Sequence, residues 1–208
     1  MQHLRILSFL AVQALAIVIN KKAGTPYLDT FDDLKPGIPV IAPSPVGPYH
    51  GIVNHGASVQ SAIANLTAIK PHSGNQFAVA GGVADLEQVG TLTLNPFANI
   101  TRGPGVGSFD LEFFYFGFSN RDETSATIAV EGTLYVLGYD IYGKQIGPAS
   151  FKFVPTSVLD APPVRADTSI FKNLDSVIIA VEKTAVSAAL AHTVLDDVYH
   201  INYPTGRG

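Results

Sequence analysis

Beyond residue 30 no long stretch of this chain keeps the 3.6-residue apolar repeat of a helix. What recurs is short runs of Val, Ile, Thr, Phe and Tyr, cut at close intervals by Gly, Pro, Asn and Asp. With 19 Gly and 14 Pro, the turn residues fall too close together for long helices and at the right spacing for strands. The clearest strand is SFDLEFFYFGF at 108–118. Phe109, Leu111, Phe113 and Tyr115 share one parity. The other parity starts with Asp110 and Glu112 and turns apolar at Phe114, Phe116 and Phe118. A strand open to solvent on one side at its start and covered on both sides later reads this way. Further strands are expected at 76–80, 87–94, 127–142 (one long strand or two linked ones), 150–154, 176–181 and 193–203, with a turn over 139–144. The Ala-rich 184–191 is a turn of helix or a loop. The five prolines of 36–48 mark an extended surface loop rather than a linker. The chain is therefore expected to be all-β, a single-domain β-sandwich of the jelly-roll type.

Composition narrows the function. The net charge of −4 lacks the basic footprint of a nucleic-acid binder. No cysteine is present, which removes thiol nucleophiles, Cys-based zinc sites and disulfides. Residues 1–23 read as a secretory signal peptide: Arg5 supplies the positive start, 6–19 the apolar run, and Ala14-Leu15-Ala16 or Ala23 the processed end. The apolar run is shorter than the ~20 residues that span a bilayer, so no membrane span is expected. Residues 24–208 then form the β-sandwich domain, secreted and expected to be a monomer. Asn65-Leu66-Thr67 and Asn99-Ile100-Thr101 are acceptors for N-glycosylation on a eukaryotic route.

No motif frames a catalytic centre. G-x-S-x-G is absent, and Gly103-Pro104-Gly105-Val106-Gly107 has neither the helix nor the Lys-Ser/Thr of a phosphate loop. His50 and His55 are spaced for opposite faces of a strand, while His192 and His200 bracket the last one, so none of them forms a zinc pattern. Sugar-binding surfaces use flat aromatic rings with polar groups beside them. The chain has no Trp and eight Tyr. Tyr49, Tyr142 and Tyr199, next to glycine, acid or histidine neighbours, are the candidate ligand-binding residues; most of the phenylalanines are expected in the core.

The order of the motifs TFDDL (30–34), PYHGI (48–52), FDLEFFYFGF, TLYVLGYDIYG (133–143), FKFVP (151–155), FKNLDSV (171–177) and LDDV (195–198) resembles a family of uncharacterised secreted fungal proteins. More distantly it resembles galactose-binding-like jelly rolls such as carbohydrate-binding modules. The resemblance covers roughly residues 30–203. Many members of the family carry a Cys just after the F-Y-F-G segment and another before the G-Y-D strand; here those places hold Phe118 and Gly132. The resemblance also implies a structural calcium where the first and last strands meet, with Asp32 and Asp196 matching best and Asp33 and Asp197 as alternates. Such a hard cation takes six to eight oxygens.

Together these readings describe a secreted, non-catalytic binding protein for an extracellular or cell-wall glycan, with calcium as its candidate cofactor. The rival readings are a structural or host-interaction protein without sugar affinity, and a glycan-active enzyme using two carboxylates.

Overall fold

The computed structural model describes residues 23–37, 44–63, 67–80, 87–89, 92–121, 127–182 and 191–206. The expected leader (apart from Ala23), the Asn65 acceptor and most of the Ala-rich segment lie outside them. Among the described residues there are twelve strands and no helix: β1 (Thr25–Asp29), β2 (Ser44–Tyr49), β3 (Ile52–Ser61), β4 (Gln76–Ala80), β5 (Glu87–Val89), β6 (Leu92–Arg102), β7 (Val106–Arg121), β8 (Thr127–Ala129), β9 (Gly132–Asp140), β10 (Gln145–Phe153), β11 (Val164–Glu182) and β12 (Ala191–Pro204). The protein is an all-β antiparallel sandwich of jelly-roll type. Most expected strands are present. The 127–142 region is two strands, the end of the Pro-rich segment is a strand, and Asp32-Asp33 sit just past β1.

Two strands serve both layers. The first part of β11 pairs with β7 and the second runs between β6 and β9. β3 pairs with β6 over Ile52–His55 and with β4 from Ala57 onward. The change falls at Gly56, whose φ of 80° lies in the left-handed region open to glycine. Through these corners β11, β6, β3, β4, β12 and β7 pair in a closed circuit, with β1 added on β12. Strands that change layer at a bend are how sandwiches turn corners without exposing an edge.

The core is phenylalanine-rich. Phe116 and Phe118 of β7 meet Phe153 of β10 at ring-centroid distances of 6.3 and 6.1 Å, tilted and edge-on. Edge-on packing sets the positive rim of one ring against the negative face of the next. A Cβ added at Gly132 would stand 2.6 Å from the Phe118 ring. Phe118 and Gly132 are therefore neighbours, and the phenylalanine ring fills the space against a bare glycine.

The apolar parity of β7 changes along its length. Phe109 and Leu111 point inward and are fully buried, as are Phe114, Phe116 and Phe118, while Glu112 and Phe113 in between are both partly exposed. Between Leu111 and Phe113 the register breaks against both neighbours, between Asp167 and Phe171 on β11 and between Tyr199 and His200 on β12. A bulge that adds one residue exchanges inside and outside for everything after it. Phe113 and Tyr115, which share the parity of Phe109 in the sequence, are thereby moved to the outer face.

Candidate ligand-binding face

That outer face carries connected aromatic rings. Across the strands, Leu28 of β1 stands opposite Tyr199 of β12, and Tyr199 opposite Phe113 of β7. The Phe113 and Tyr199 rings stack at 5.1 Å, and Phe113 meets Tyr115 edge-on at 6.3 Å. His72 lies flat on Tyr115 at 3.4 Å. Arg165 of β11, opposite Tyr115, sets its guanidinium carbon 4.2 Å from the centre of the Phe113 ring. Phe113, Tyr115 and Tyr199 are half-buried, whereas Arg165, Leu28 and His72 are exposed.

His72 is held there by carboxylates beneath it. Asp197, itself buried, takes the His72 Nδ1–H at 2.6 Å and the Ser73 hydroxyl at 2.5 Å. A proton on Nδ1 leaves the Nε2 lone pair free for an outside partner. Asp196, with no exposed surface, accepts the backbone N–H groups of His72 (2.6 Å), Ser73 (3.1 Å) and Asp197 (2.8 Å). Burial pushes its carboxyl up to about 7, with the Asp197 charge adding to the shift and the N–H donors opposing it. Asp32 clamps the other end of the loop, taking the N–H groups of Asn75 (2.8 Å) and Gln76 (3.1 Å). Gly74, at φ 54°, crosses directly over the Asp32 carboxylate, where no Cβ fits.

The aspartates expected to hold calcium thus converge, but on a loop. Asp32, Asp196 and Asp197 all bind residues 72–76, whereas Asp33 takes the Tyr49 hydroxyl. At least one oxygen of each carboxylate meets an N–H or O–H donor, and at Asp196 and Asp197 both do. This is a clamp rather than a cation cage, and an ion at the Asp196–Asp197 pair would have to displace His72 and Ser73. EDTA is accordingly expected to leave the melting temperature unchanged; a drop reversed by calcium would show that an ion does take their place.

Of the three candidate tyrosines, Tyr199 alone belongs to the aromatic face. Tyr142 is 83% exposed at the β9–β10 turn. Tyr49 is buried between Phe31 and His50, at 5.8 and 4.0 Å. Burial and the bond to Asp33 hold its phenol well above the usual range. His50 and His200 join a separate polar tie: the buried Asp29 carboxylate lies 2.7 Å from His50 Nδ1 and 3.3 Å from His200 Nε2, and Asn202 bridges His200 to the His50 carbonyl. This network fixes the β2–β3 turn against β12. Asn99 is exposed on β6, and its partner Thr101 bonds His55 at 3.1 Å. Phe113, Tyr115 and His72 were not singled out from the sequence. The signal for the first two was present, since a strand with aromatics on both parities must either cover both faces or present one of them to a ligand.

No family profile matches this sequence, and no curated protein sequence is similar to it. By fold the chain is similar to a DUF4465 family protein from Bacteroides caccae, with a TM-score of 0.52 and 14% identity over 86% of this chain and 100% of that one. At lower TM-scores it is similar to the tandem CBM22 domain of Paenibacillus barcinonensis Xyn10C (0.40, 14% identity, 91% of this chain and 49% of that one). A further similar structure is TmCBM61 in complex with β-1,4-galactotriose (0.35, 11% identity, 76% and 92%).

Proposed function

We propose that this is a secreted, non-catalytic protein that binds an extracellular or cell-wall glycan on the outer face of β12, β7 and β11. The observation that carries the reading is the connected group of solvent-facing rings formed by Tyr199, Phe113, Tyr115 and His72. A pyranose lays its C–H face on such rings, removing apolar area from water, while its hydroxyls reach sideways. His72 Nε2, Arg165 and Asp167 stand at the margin to meet them. The carboxylate beneath the face suits recognition rather than hydrolysis, because Asp196 is sealed from solvent and occupied by three N–H donors.

The test starts from the full chain expressed in yeast and recovered from the medium, where intact mass reports leader removal and sugar at Asn65 and Asn99. Incubated with insoluble cellulose, chitin, xylan and β-glucan, it is expected to be retained on at least one and released by the matching soluble oligosaccharide. Tyr199→Ala and Tyr115→Ala are expected to weaken retention by about tenfold or more, equivalent to ~1.4 kcal/mol, without unfolding the protein. Tyr142→Ala and Tyr49→Phe are expected to leave it unchanged. Retention that ignores Tyr199 and Tyr115, or absence from every polysaccharide, would sink the reading.

One observation favours a second reading, a protein-interaction surface. Ile128, Val154, Val158 and Leu159 are exposed at and near the β10–β11 connection, and Val158 accepts the Ala129 N–H at 2.8 Å. Val158→Ser with Leu159→Ser is expected to leave glycan retention intact, which separates the two surfaces.

A further inference from the structure

We infer that the glycan taken by the aromatic face is acidic, and that Arg165 seats its oxyanion, a uronate carboxylate or a sulfate ester. The inference rests on the glycan-binding reading and specifies its substrate class. Arg165 is exposed, and its guanidinium lies over Phe113, in the ring group itself. Stacked on a ring, a guanidinium is held flat while the N–H groups along its edge stay free to donate in a fork, the geometry that matches two oxygens of one oxyanion. Among the described residues no carboxylate forms an ion pair with it. The nearest acid along its strand face, Asp167, has its carboxylate hydrogen-bonded to Ser169 instead (N–H at 3.1 Å). Hydrogen bonds from the Ser169 hydroxyl and N–H, with a smaller contribution from the Arg165 charge, hold the Asp167 carboxyl below the ordinary range.

Arg102 is paired with Asp175 at 2.5 Å, Lys152 with Glu131 at 2.7 Å, and Lys172 with Glu112 and Asp110, whereas the exposed Lys35, Lys70 and Lys144 share with Arg165 the lack of a carboxylate partner. Among the described cations what sets Arg165 apart is its seat over an aromatic ring. An arginine without a carboxylate partner at the margin of the ring group has both halves of an acidic-sugar site, exposed aromatic surface and a fork for the charge. The chain's net charge of −4 opposes non-specific adsorption of polyanions. Retention on an acidic polymer therefore reports a local contact rather than bulk attraction.

The probes are polygalacturonate against its fully methyl-esterified form, and dextran sulfate against dextran, each measured by affinity electrophoresis with the full chain. The charged member of one pair is expected to bind about tenfold or more tightly than its neutral counterpart, the worth of one charge-assisted pair. Added salt is expected to narrow the gap. Which pair shows the gap tells carboxylate from sulfate. Arg165→Ala is expected to erase the preference while leaving the melting temperature within a degree or two, and Arg165→Lys to restore only part of it, since an ammonium keeps the charge without the fork. Equal or tighter binding of the neutral forms, or a preference that survives in Arg165→Ala, would overturn the inference. In those cases loss of neutral binding in Tyr199→Ala would leave the glycan reading standing, whereas no binding to any polymer would remove both.

Discussion

Between pH 5 and pH 8 the protein is expected to lose roughly 2–3 kcal/mol of stability through Asp196, at ~1.4 kcal/mol per unit over about two units. The folded carboxyl titrates at about 7, against 3.8 for the free group. In that window the folded state holds a proton that the unfolded chain has lost. Deprotonation thus costs more in the folded protein, and stability falls as the pH rises from about 4 to about 7, then levels off. For a chain of this size the drop corresponds to about 5–10 °C in melting temperature. Histidines titrate in the same range, so the comparison that isolates the group is Asp196→Asn, whose amide carries no charge at either pH. Its melting curves at pH 5 and pH 8 are expected to lie closer together than those of the unaltered protein. An unchanged gap would show that Asp196 is ionised without penalty. The consequence reaches the binding face, because Asp196 accepts the N–H groups of His72 and Ser73 and so positions the ring that lies on Tyr115.

The adjacent residues Phe113 and Phe114 are expected to give opposite results when each is changed to alanine. Phe114 has no exposed surface and packs on Phe116 at 6.2 Å. Its truncation leaves a cavity and is expected to cost about 3–5 kcal/mol, or about 10–15 °C in melting temperature. Phe113 lies on the outer face, where truncation is expected to cost about 1 kcal/mol or less. It removes, however, the ring shared by Tyr199, Tyr115 and Arg165. Glycan retention is expected to fall by about tenfold or more in this variant, ~1.4 kcal/mol, with the fold intact. Thermal melting and pull-down on the same two preparations decide the matter. A larger stability loss at Phe113 than at Phe114 would mean that the bulge does not lie between Leu111 and Phe114.

The contrast shows where sequence reasoning stopped. Strands at 76–80, 108–118, 176–181 and 193–203 were legible because period-2 alternation and turn residues are local properties of a few neighbouring side chains. The hairpin at Asp140–Gly143 was legible for the same reason: the Asp140 carboxylate takes the Tyr142 and Lys144 N–H groups at 2.9 Å, and Gly143 adopts φ 77°. The proximity of first and last strands, implied by the family resemblance, appears as β1 pairing with β12 from Thr25 to Asp29. Tyr199 was singled out and lies on the face, but Tyr49, chosen on the same grounds, is buried. Neighbours in sequence do not tell which side of a strand faces the second layer.

The sequence by itself determined that this protein is built of strands and where most of them run. It also determined that its aromatics are too many for one side of β7. The tertiary structure alone decided which of them are outside, since the phase of β7 depends on a bulge set by register against β11 and β12. It alone brought Asp32, Asp196 and Asp197 to one loop and laid His72 on Tyr115. Alternation is encoded within a strand, whereas register and loop contacts come from pairings between segments far apart in the chain. Those pairings are chosen by how the whole core packs, which no single segment records.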